Sequence, residues 1–137
     1  KEIKEILNAR VKFREPFRPF APSILREHVK EWFTYDHRAP YMLLVFDIKE
    51  EKRKIVPGVT HVDGSGRLQT ITEDMNSRYY HLISEFQKIS GIPMVVNTSF
   101  NIKGEPIIES PTDAVRCFLG SGIDYLVMND FVVEKIQ

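Results

Sequence analysis

The sequence has 137 residues and one cysteine, and its 19 basic and 19 acidic side chains give a formal net charge of zero. This length predicts one domain, which buries roughly 68% of its unfolded surface without disulfides or metals. The neutral charge argues against a nucleic-acid or membrane partner, and a lone Cys117 with no apolar stretch near ~20 residues predicts a cytoplasmic protein.

The first half of the chain begins with a charged helical pattern. Ile3, Ile6 and Leu7 recur at helical spacing, which predicts the end of a helix over residues 1–9. The chain starts inside this pattern, so we expect it to be part of a longer protein. Three prolines then exclude regular helix from residues 11–22 and favour a stiff, extended segment. The elements predicted next are a short helix capped by Ser23, a loop at 32–40, a central strand at 41–48, a solvated hairpin tip at 50–54 and a returning strand at 56–62.

The second half of the chain carries clearer cap and turn signals. The elements predicted there are a glycine-rich corner at 63–66, a strand at 67–71, a helix from the cap Asn76 to Gly91, strands at 92–96 and 106–108, a helix opened by Ser110 and Pro111, and a hairpin at 124–133 turning at Asn129-Asp130. Together these elements predict an α/β fold. Its sheet is expected to be open, twisted, mixed and largely antiparallel, with flanking helices.

A cluster of amide and hydroxyl side chains follows the strand predicted at 92–96. Its members are Asn97, Thr98, Ser99 and Asn101. They lie at the end of a strand, where an α/β sheet usually opens its ligand crevice. Such groups suit a core poorly because each needs a hydrogen-bond partner when buried. A plain turn remains an equal alternative here, since the following Lys103-Gly104 can supply a corner with positive φ.

Three cations lie close together on the proline-rich segment. In an extended chain alternate residues share a face, so Lys12, Arg14 and Arg18 could project together while Phe13 and Phe17 anchor the other side. Fixed cations of this kind suit a polyphosphate or an acyl phosphate. The alternative is a solvated basic surface, which the interleaved aromatic and proline residues disfavour.

The glycine-rich corner offers a weaker anion site. Gly64 and Gly66 would let backbone amides approach a phosphate, and Arg67 would add a charged fork. A hairpin turn with an exposed arginine is the alternative. His61 and Asp63 are too few to make a metal site, and we expect Mg²⁺ to arrive with a nucleotide instead. Because no nucleophile motif is present, the expected chemistry is positioning and charge neutralisation.

Three segments of the chain resemble one family. Residues 12–22, 61–70 and 97–106 are similar to the carbamoyltransferase C-terminal domain of the antibiotic and nodulation-factor O-carbamoyltransferases. The likeness runs across nearly the whole chain and keeps the order of the motifs. The polar cluster is also similar to an element of YrdC-like threonylcarbamoyl-adenylate synthases, although Phe100 replaces a small residue there.

The resemblance implies a YrdC-like fold and a two-domain parent enzyme. In that family the C-terminal domain uses ATP with Mg²⁺ and carbamoyl phosphate to form carbamoyl adenylate. An N-terminal domain related to sugar kinases and Hsp70-type ATPases (ASKHA-type) holds the metal site and passes the carbamoyl group to a hydroxyl. Carried over by motif, the residues that contact the carbamoyl and phosphoryl groups are Lys12, Arg18, Arg67 and Ser99. Those that line the nucleotide pocket are Asn97, Thr98 and Asn101, with Arg14 as a further contributor.

Two other functions stay open from the sequence. One is a threonylcarbamoyl-adenylate synthase, although the segment from Lys12 to Pro22 is more similar to the carbamoyltransferases. The other is a nucleotide-binding module without catalysis of its own. The hydroxyl acceptor and the oligomeric state cannot be read from these residues.

Overall fold

The computed structural model describes residues 2–136. The helices are α1 (Glu2–Ile6), α2 (Val29–Trp32), α3 (Glu50–Arg53), α4 (Ser77–Ser90) and α5 (Pro111–Gly120). The strands are β1 (Ala21–Leu25), β2 (Phe46–Asp47), β3 (Ser65–Gly66), β4 (Gln69–Ile71), β5 (Met94–Asn97), β6 (Tyr125–Met128) and β7 (Phe131–Glu134). The chain is therefore mixed α/β with small, open, mostly antiparallel sheets, which confirms the predicted fold class. It forms two compact units, one of residues 19–98 and one of residues 2–18 with 99–136.

The unit of residues 19–98 is built on a three-stranded sheet in the order β4-β1-β5. Strand β1 is parallel to β4 and antiparallel to β5. The main core includes the fully buried Ile24, Val29 and Leu68. Helix α4 contributes Ile83 to a second cluster with Leu25. A two-stranded antiparallel sheet of β2 and β3 completes this unit.

The boundaries of α4 confirm the predicted helix. The Asn76 side chain accepts a hydrogen bond from the Tyr79 amide at 3.0 Å, and Gly91 ends the helix with φ of +74°. These are local signals that need no tertiary partner, because a cap and a left-handed glycine act on their own helix.

The helix predicted to start at Ser23 is wrong. Residues 21–25 form the central strand β1, and all five are buried. The Ser23 hydroxyl donates to Gln69 Oε1 at 2.7 Å instead of capping a helix. A fully buried segment paired on both sides has no solvated face, so the sheet outcompetes the local cap signal.

Three further predictions in this unit are wrong. Within residues 41–48 only Phe46–Asp47 is a strand, and Tyr41 and Leu43 are 76% and 80% exposed, so this is no central strand. Residues 50–53 form helix α3 and not a hairpin tip, with acids in the first turn and bases in the last, as the helix dipole favours. The strand predicted at 56–62 is a series of turns that places Val56 and Val59 in the core.

The unit of residues 2–18 and 99–136 packs α5 against the β6–β7 hairpin. Ala114, Phe118 and Leu126 form its buried core. The predicted caps are confirmed, because Ser110 accepts from the Asp113 amide at 3.2 Å and Pro111 opens the helix. The hairpin is also confirmed, turning through Asn129 with φ of +52°.

In this second unit one further prediction is wrong, and the single cysteine is buried. The strand predicted at 106–108 is not formed, and Ile108 makes one backbone bond to Phe100 at 3.0 Å. Cys117 is buried within α5, and burial raises the pKa of its thiol.

Within residues 2–136, no helix combines the length and apolarity that crossing a bilayer requires.

Candidate functional site

The cationic segment, residues 12–18, is a tight loop and not the extended chain predicted. A π-helical turn, Leu7–Val11, ends where the Lys12 amide donates to the Leu7 carbonyl at 2.8 Å. Phe13 then adopts φ of +48°, a left-handed conformation that reverses the chain. We call residues 12–18 the basic loop; its cations converge through this turn and not through strand alternation.

The second half of the polar cluster forms another loop in the same unit. We call residues 99–105 the polar loop. Gly104 has φ of +84°, as the positive-φ corner in the sequence predicts. The Asn101 side chain donates to the Glu105 carbonyl at 2.8 Å, and the Ser99 hydroxyl donates to Asn101 Oδ1 at 2.6 Å. The amide and hydroxyl side chains therefore brace the loop from within.

Lys12 joins the two loops. Its side chain reaches the polar loop, 87 residues away along the chain, where Nζ donates to the Ser99 carbonyl and to the carbonyl and Oδ1 of Asn101, each at 2.8 Å. Ser99 Oγ lies 3.4 Å from the same nitrogen. Lys12 is 5% exposed, so its ammonium is held almost entirely by these oxygens. The polar loop is consequently fixed against the basic loop by one buried charge.

A cleft of about 230 Å³ opens between these loops. Its lining residues are Lys12, Arg14, Arg18, Ser99, Asn101, Ile102, Lys103 and Gly104. Four of these carry positive charge, and none of these lining residues is a carboxylate. The nearby Glu15 carboxylate lies 4.0 Å from Arg18 and 3.4 Å from Lys103, so it offsets part of this charge at the rim. We call this site the cation cleft.

The electrostatics of the cleft reflect crowding of like charges. Burial lowers the pKa of Lys12, and repulsion from Arg14 lowers it further. The pKa of Arg14 is lowered by burial first and by Arg18 second. The pKa of Glu15 is lowered by its own backbone amide and then by Lys103. The folded protein disfavours the charged forms of these cations. Binding of an anion in the cleft is therefore favourable, because the negative charge offsets the repulsion between them.

Several predicted site residues are therefore brought together. Lys12, Arg14, Arg18, Ser99 and Asn101 all line the cation cleft. That convergence fits an anion site, but their roles toward a substrate stay predictions.

Two residues of this unit were missed by the sequence argument. Lys103 lines the cleft, although Lys103-Gly104 reads as a turn in the sequence. Asn8 is fully buried against the basic loop. The position of Lys103 inside the polar cluster could have indicated its role, whereas nothing local singles out Asn8.

The remaining predicted residues lie in the unit of residues 19–98. Asn97 is the last residue of β5. Its side chain donates to Gln69 Oε1 at 2.7 Å and so links β5 to β4. Thr98 and Arg67 are exposed. Their roles in nucleotide and phosphoryl binding stay predictions.

Residues 61–67, here called the glycine corner, satisfy their own polar groups. The Asp63 carboxylate accepts from the Ser65 amide at 2.9 Å and from its hydroxyl at 2.7 Å, and Ser65 Oγ lies 3.0 Å from His61 Nδ1. The Gly64 amide donates to the His61 carbonyl at 3.0 Å. Because these backbone amides already donate within the segment, the structure favours a turn here over a phosphate-binding site.

The two glycines of this corner have packing reasons of their own. Gly64 has φ of +86°, and a Cβ there would lie 2.3 Å from Arg53 Cζ. A Cβ on Gly66 would lie 3.1 Å from Ile48 Cδ1. Among residues 2–136, no group of three or more His, Cys, Asp and Glu side chains is arranged to hold a metal.

The chain is similar to several longer bacterial proteins. It is 44% identical to the nodulation protein NolNO of Sinorhizobium fredii, over 96% of this chain and 20% of that protein. It is 42% identical to the nodulation protein NolO of Bradyrhizobium diazoefficiens, over 98% of this chain and 25% of that protein. An uncharacterized protein of Synechocystis, sll1178, is 41% identical over 97% of this chain and 25% of its own length. The chain thus spans about a fifth to a quarter of the curated relatives it matches.

One family profile covers nearly all of the sequence. The profile described as Carbamoyltransferase C-terminus matches residues 1–135. This match includes the basic loop, the glycine corner and the polar loop. The chain therefore belongs to the carbamoyltransferase C-terminus family.

Proposed function

We propose that this chain binds carbamoyl phosphate and ATP and forms carbamoyl adenylate, as part of a larger O-carbamoyltransferase. The observation that carries the proposal is the cation cleft, where Lys12, Arg14, Arg18 and Lys103 surround one hollow beside Ser99. Membership of the carbamoyltransferase C-terminus family supports a transferase. The substrates and the adenylate intermediate are the part that is proposed.

The charges of the cleft suit a phosphorylated ligand. Arginine presents a planar fork that can bind two phosphate oxygens, and lysine supplies a compact charge. The Ser99 hydroxyl already donates to Asn101, but its oxygen can still accept a hydrogen bond from the amide of a carbamoyl group. Cations fixed in this way stabilise the charge that develops as a phosphoryl bond breaks.

The size of the cleft favours a small anion. Its volume of about 230 Å³ is below the roughly 300 Å³ at which pockets for drug-sized ligands begin. Carbamoyl phosphate is of this scale, whereas a whole nucleotide would extend beyond the cleft. We therefore assign the cleft to carbamoyl phosphate, keep Asn97 and Thr98 as proposed residues of the nucleotide pocket, and keep Arg67 as a proposed contact of the phosphoryl groups. We propose that Mg²⁺ is held chiefly by the nucleotide phosphates.

The balanced reaction gives the assay its readout. One carbamoyl phosphate, one ATP and one water yield carbamoyl adenylate, phosphate and pyrophosphate. Since the chain spans only part of its relatives, we propose that an N-terminal ASKHA-type domain transfers the carbamoyl group to a hydroxyl acceptor in the cytoplasm.

The test measures pyrophosphate release by the full-length protein. We expect release from ATP only when carbamoyl phosphate is present, and a reduction of about 10- to 100-fold in Arg18→Ala. The matched control is Arg116→Ala, because Arg116 is an exposed arginine of the same unit paired with Asp113. Release with threonine and bicarbonate would instead indicate a threonylcarbamoyl-adenylate synthase. Calorimetric binding of both ligands without release would indicate a non-catalytic module.

A further inference from the structure

Asn8 is a buried amide whose side chain is committed to the basic loop. It is 0% exposed and sits in the π-helical turn that precedes that loop. Its Nδ2 donates to the Arg18 carbonyl at 3.0 Å and to the Pro16 carbonyl at 3.3 Å. Its Oδ1 accepts from Arg14 Nε at 2.7 Å. Both amide protons and the carbonyl oxygen are therefore used on one segment.

The backbone of Asn8 adds a fourth contact to the same segment. Its carbonyl accepts from the Arg14 amide at 3.0 Å. The loop is thus held at Arg14, Pro16 and Arg18 by one residue, which closes it on itself. These contacts oppose the mutual repulsion of the two arginines, and within the loop the Arg18 amide also donates to the Glu15 carbonyl at 3.2 Å.

The bond from Arg14 fixes the direction of a cation that lines the cleft. Nε of Arg14 donates to Asn8 at 2.7 Å, and because the guanidinium is planar this bond restricts the plane in which its other two nitrogens lie. Asn8 is neutral and is not itself among the residues that line the cleft. A neutral acceptor orients the arginine without cancelling its charge, whereas a carboxylate at the same place would cancel it.

We propose that Asn8 is a positioning residue that acts chiefly through Arg14, which it orients so that this cation faces an anion bound in the cation cleft. This inference rests on the proposed function of the cation cleft. It assigns Asn8 no contact with substrate, only control of the residues that make such contacts.

The test is a double-mutant cycle on the full-length protein, read out as the KM for carbamoyl phosphate in pyrophosphate release. Asn8→Ala and Arg14→Ala should each raise KM by about 10- to 100-fold, as expected for loss of a hydrogen bond to a charged group, with a smaller change in kcat. Because Asn8 acts through Arg14, the double variant should exceed Arg14→Ala by no more than about 3-fold. Effects that multiply would overturn the proposal, as would an unchanged KM in a folded Asn8→Ala protein.

A control and a second variant separate positioning from stability. Ser121→Ala removes another buried polar side chain of the same unit, outside the cleft lining, and should keep the wild-type KM. If Asn8→Ala does not fold, Asn8→Asp keeps the size but loses both donors and places a negative charge beside Arg14. It should raise KM in the same non-additive way, and a wild-type KM in this variant would contradict the proposal.

Inorganic phosphate distinguishes the two levels of the inference. If carbamoyl phosphate has no effect on turnover but phosphate binds with coupled Asn8 and Arg14 effects, the proposed function fails and the positioning role stands. If the wild-type protein binds neither anion, both fail. If carbamoyl phosphate is used but Asn8 and Arg14 act independently, only the positioning role fails.

Discussion

The basic loop and the glycine corner both combine arginine with residues that bend the chain. They differ in whether their polar and charged groups face a cleft or bond to each other. In the basic loop the cations of Lys12, Arg14 and Arg18 line one cleft together with Lys103. In the glycine corner the side chains of Asp63 and Ser65 bond to each other and the turn amides are committed. Crowded like charges favour the binding of an anion, whereas hydrogen bonds made within a segment favour a structural turn. The contrast shows that similar motifs are separated by where their hydrogen bonds go.

The largest expected effect is that of Lys12→Ala, which removes the ammonium joining the two loops of the cleft. We expect carbamoyl-phosphate-dependent pyrophosphate release to fall by more than about 100-fold, since positioned charge is lost from the site. The free energy of unfolding should also fall by about 2 kcal/mol, because the carbonyls of Ser99 and Asn101 lose a charged donor. Coupled enzyme assays and urea titrations measure the two quantities. The exposed Lys30 gives the matched control, and wild-type activity in Lys12→Ala would refute the role of this residue.

The next largest effect compares Arg18→Ala with Arg67→Ala. Both arginines are exposed, so neither change should lower stability by more than about 0.5 kcal/mol. We expect Arg18→Ala to reduce carbamoyl-phosphate-dependent turnover by about 10- to 100-fold. The family resemblance predicts a comparable loss for Arg67→Ala. Full activity in Arg67→Ala would sharpen the comparison, because the glycine corner would then be structural throughout.

An effect on stability alone tests the structural role of the glycine corner directly. Gly64→Ala should lower the free energy of unfolding by about 2–3 kcal/mol, because it combines positive φ with a clash against Arg53. Arg53 cannot swing away without cost, since its Nε donates to the Ile48 carbonyl at 2.9 Å. Gly91→Ala is the control: its φ of +74° carries the strain without any neighbour within 4 Å, and should cost about 1 kcal/mol. Equal losses in urea titrations would show that the close approach to Arg53 is unimportant.

The smallest effect is a pH dependence that arises from Lys12. Burial, and then Arg14, lower the pKa of this lysine in the folded protein below its ordinary value of 10.5. Between the lowered value and 10.5 the unfolded chain binds more protons, so the free energy of unfolding rises with pH through that window. Below the lowered pKa both states are protonated and the penalty is fully present. Urea titrations at alkaline pH should show this rise in the wild type and a flatter profile in Lys12→Met; equal slopes would contradict it.

The sequence predicted best those elements whose signals act locally. Asn76 and Gly91 bound α4, Ser110 and Pro111 open α5, and Asn129 turns the hairpin, because each of these acts on adjacent backbone. The segments that failed depend on distant partners. Ser23 lies in a strand because β4 and β5 flank it.

Three of the four cations that line the cation cleft were named from the sequence, but the geometry that brings them together was not. Lys12, Arg14 and Arg18 share a cleft because Phe13 turns the loop and Asn8 closes it, not because a strand alternates. Lys103 joins them from a position 88 residues beyond Glu15, its partner across the rim. Hydrogen bonds between residues so far apart in the sequence do not affect the spacing of neighbouring residues, so they can be identified only in the folded structure.

The hydrogen bonds of the Lys12 ammonium have a further chemical consequence. An amine attacks an electrophile through its lone pair, and here every proton of the ammonium is matched by an oxygen acceptor that favours keeping it in place. Under the proposed function, this nitrogen lies beside a reactive acyl donor turnover after turnover. These oxygens act against the effect of burial and of Arg14, which lower the pKa of this lysine, and so they disfavour attack of the nitrogen on the group that the enzyme is meant to hand on.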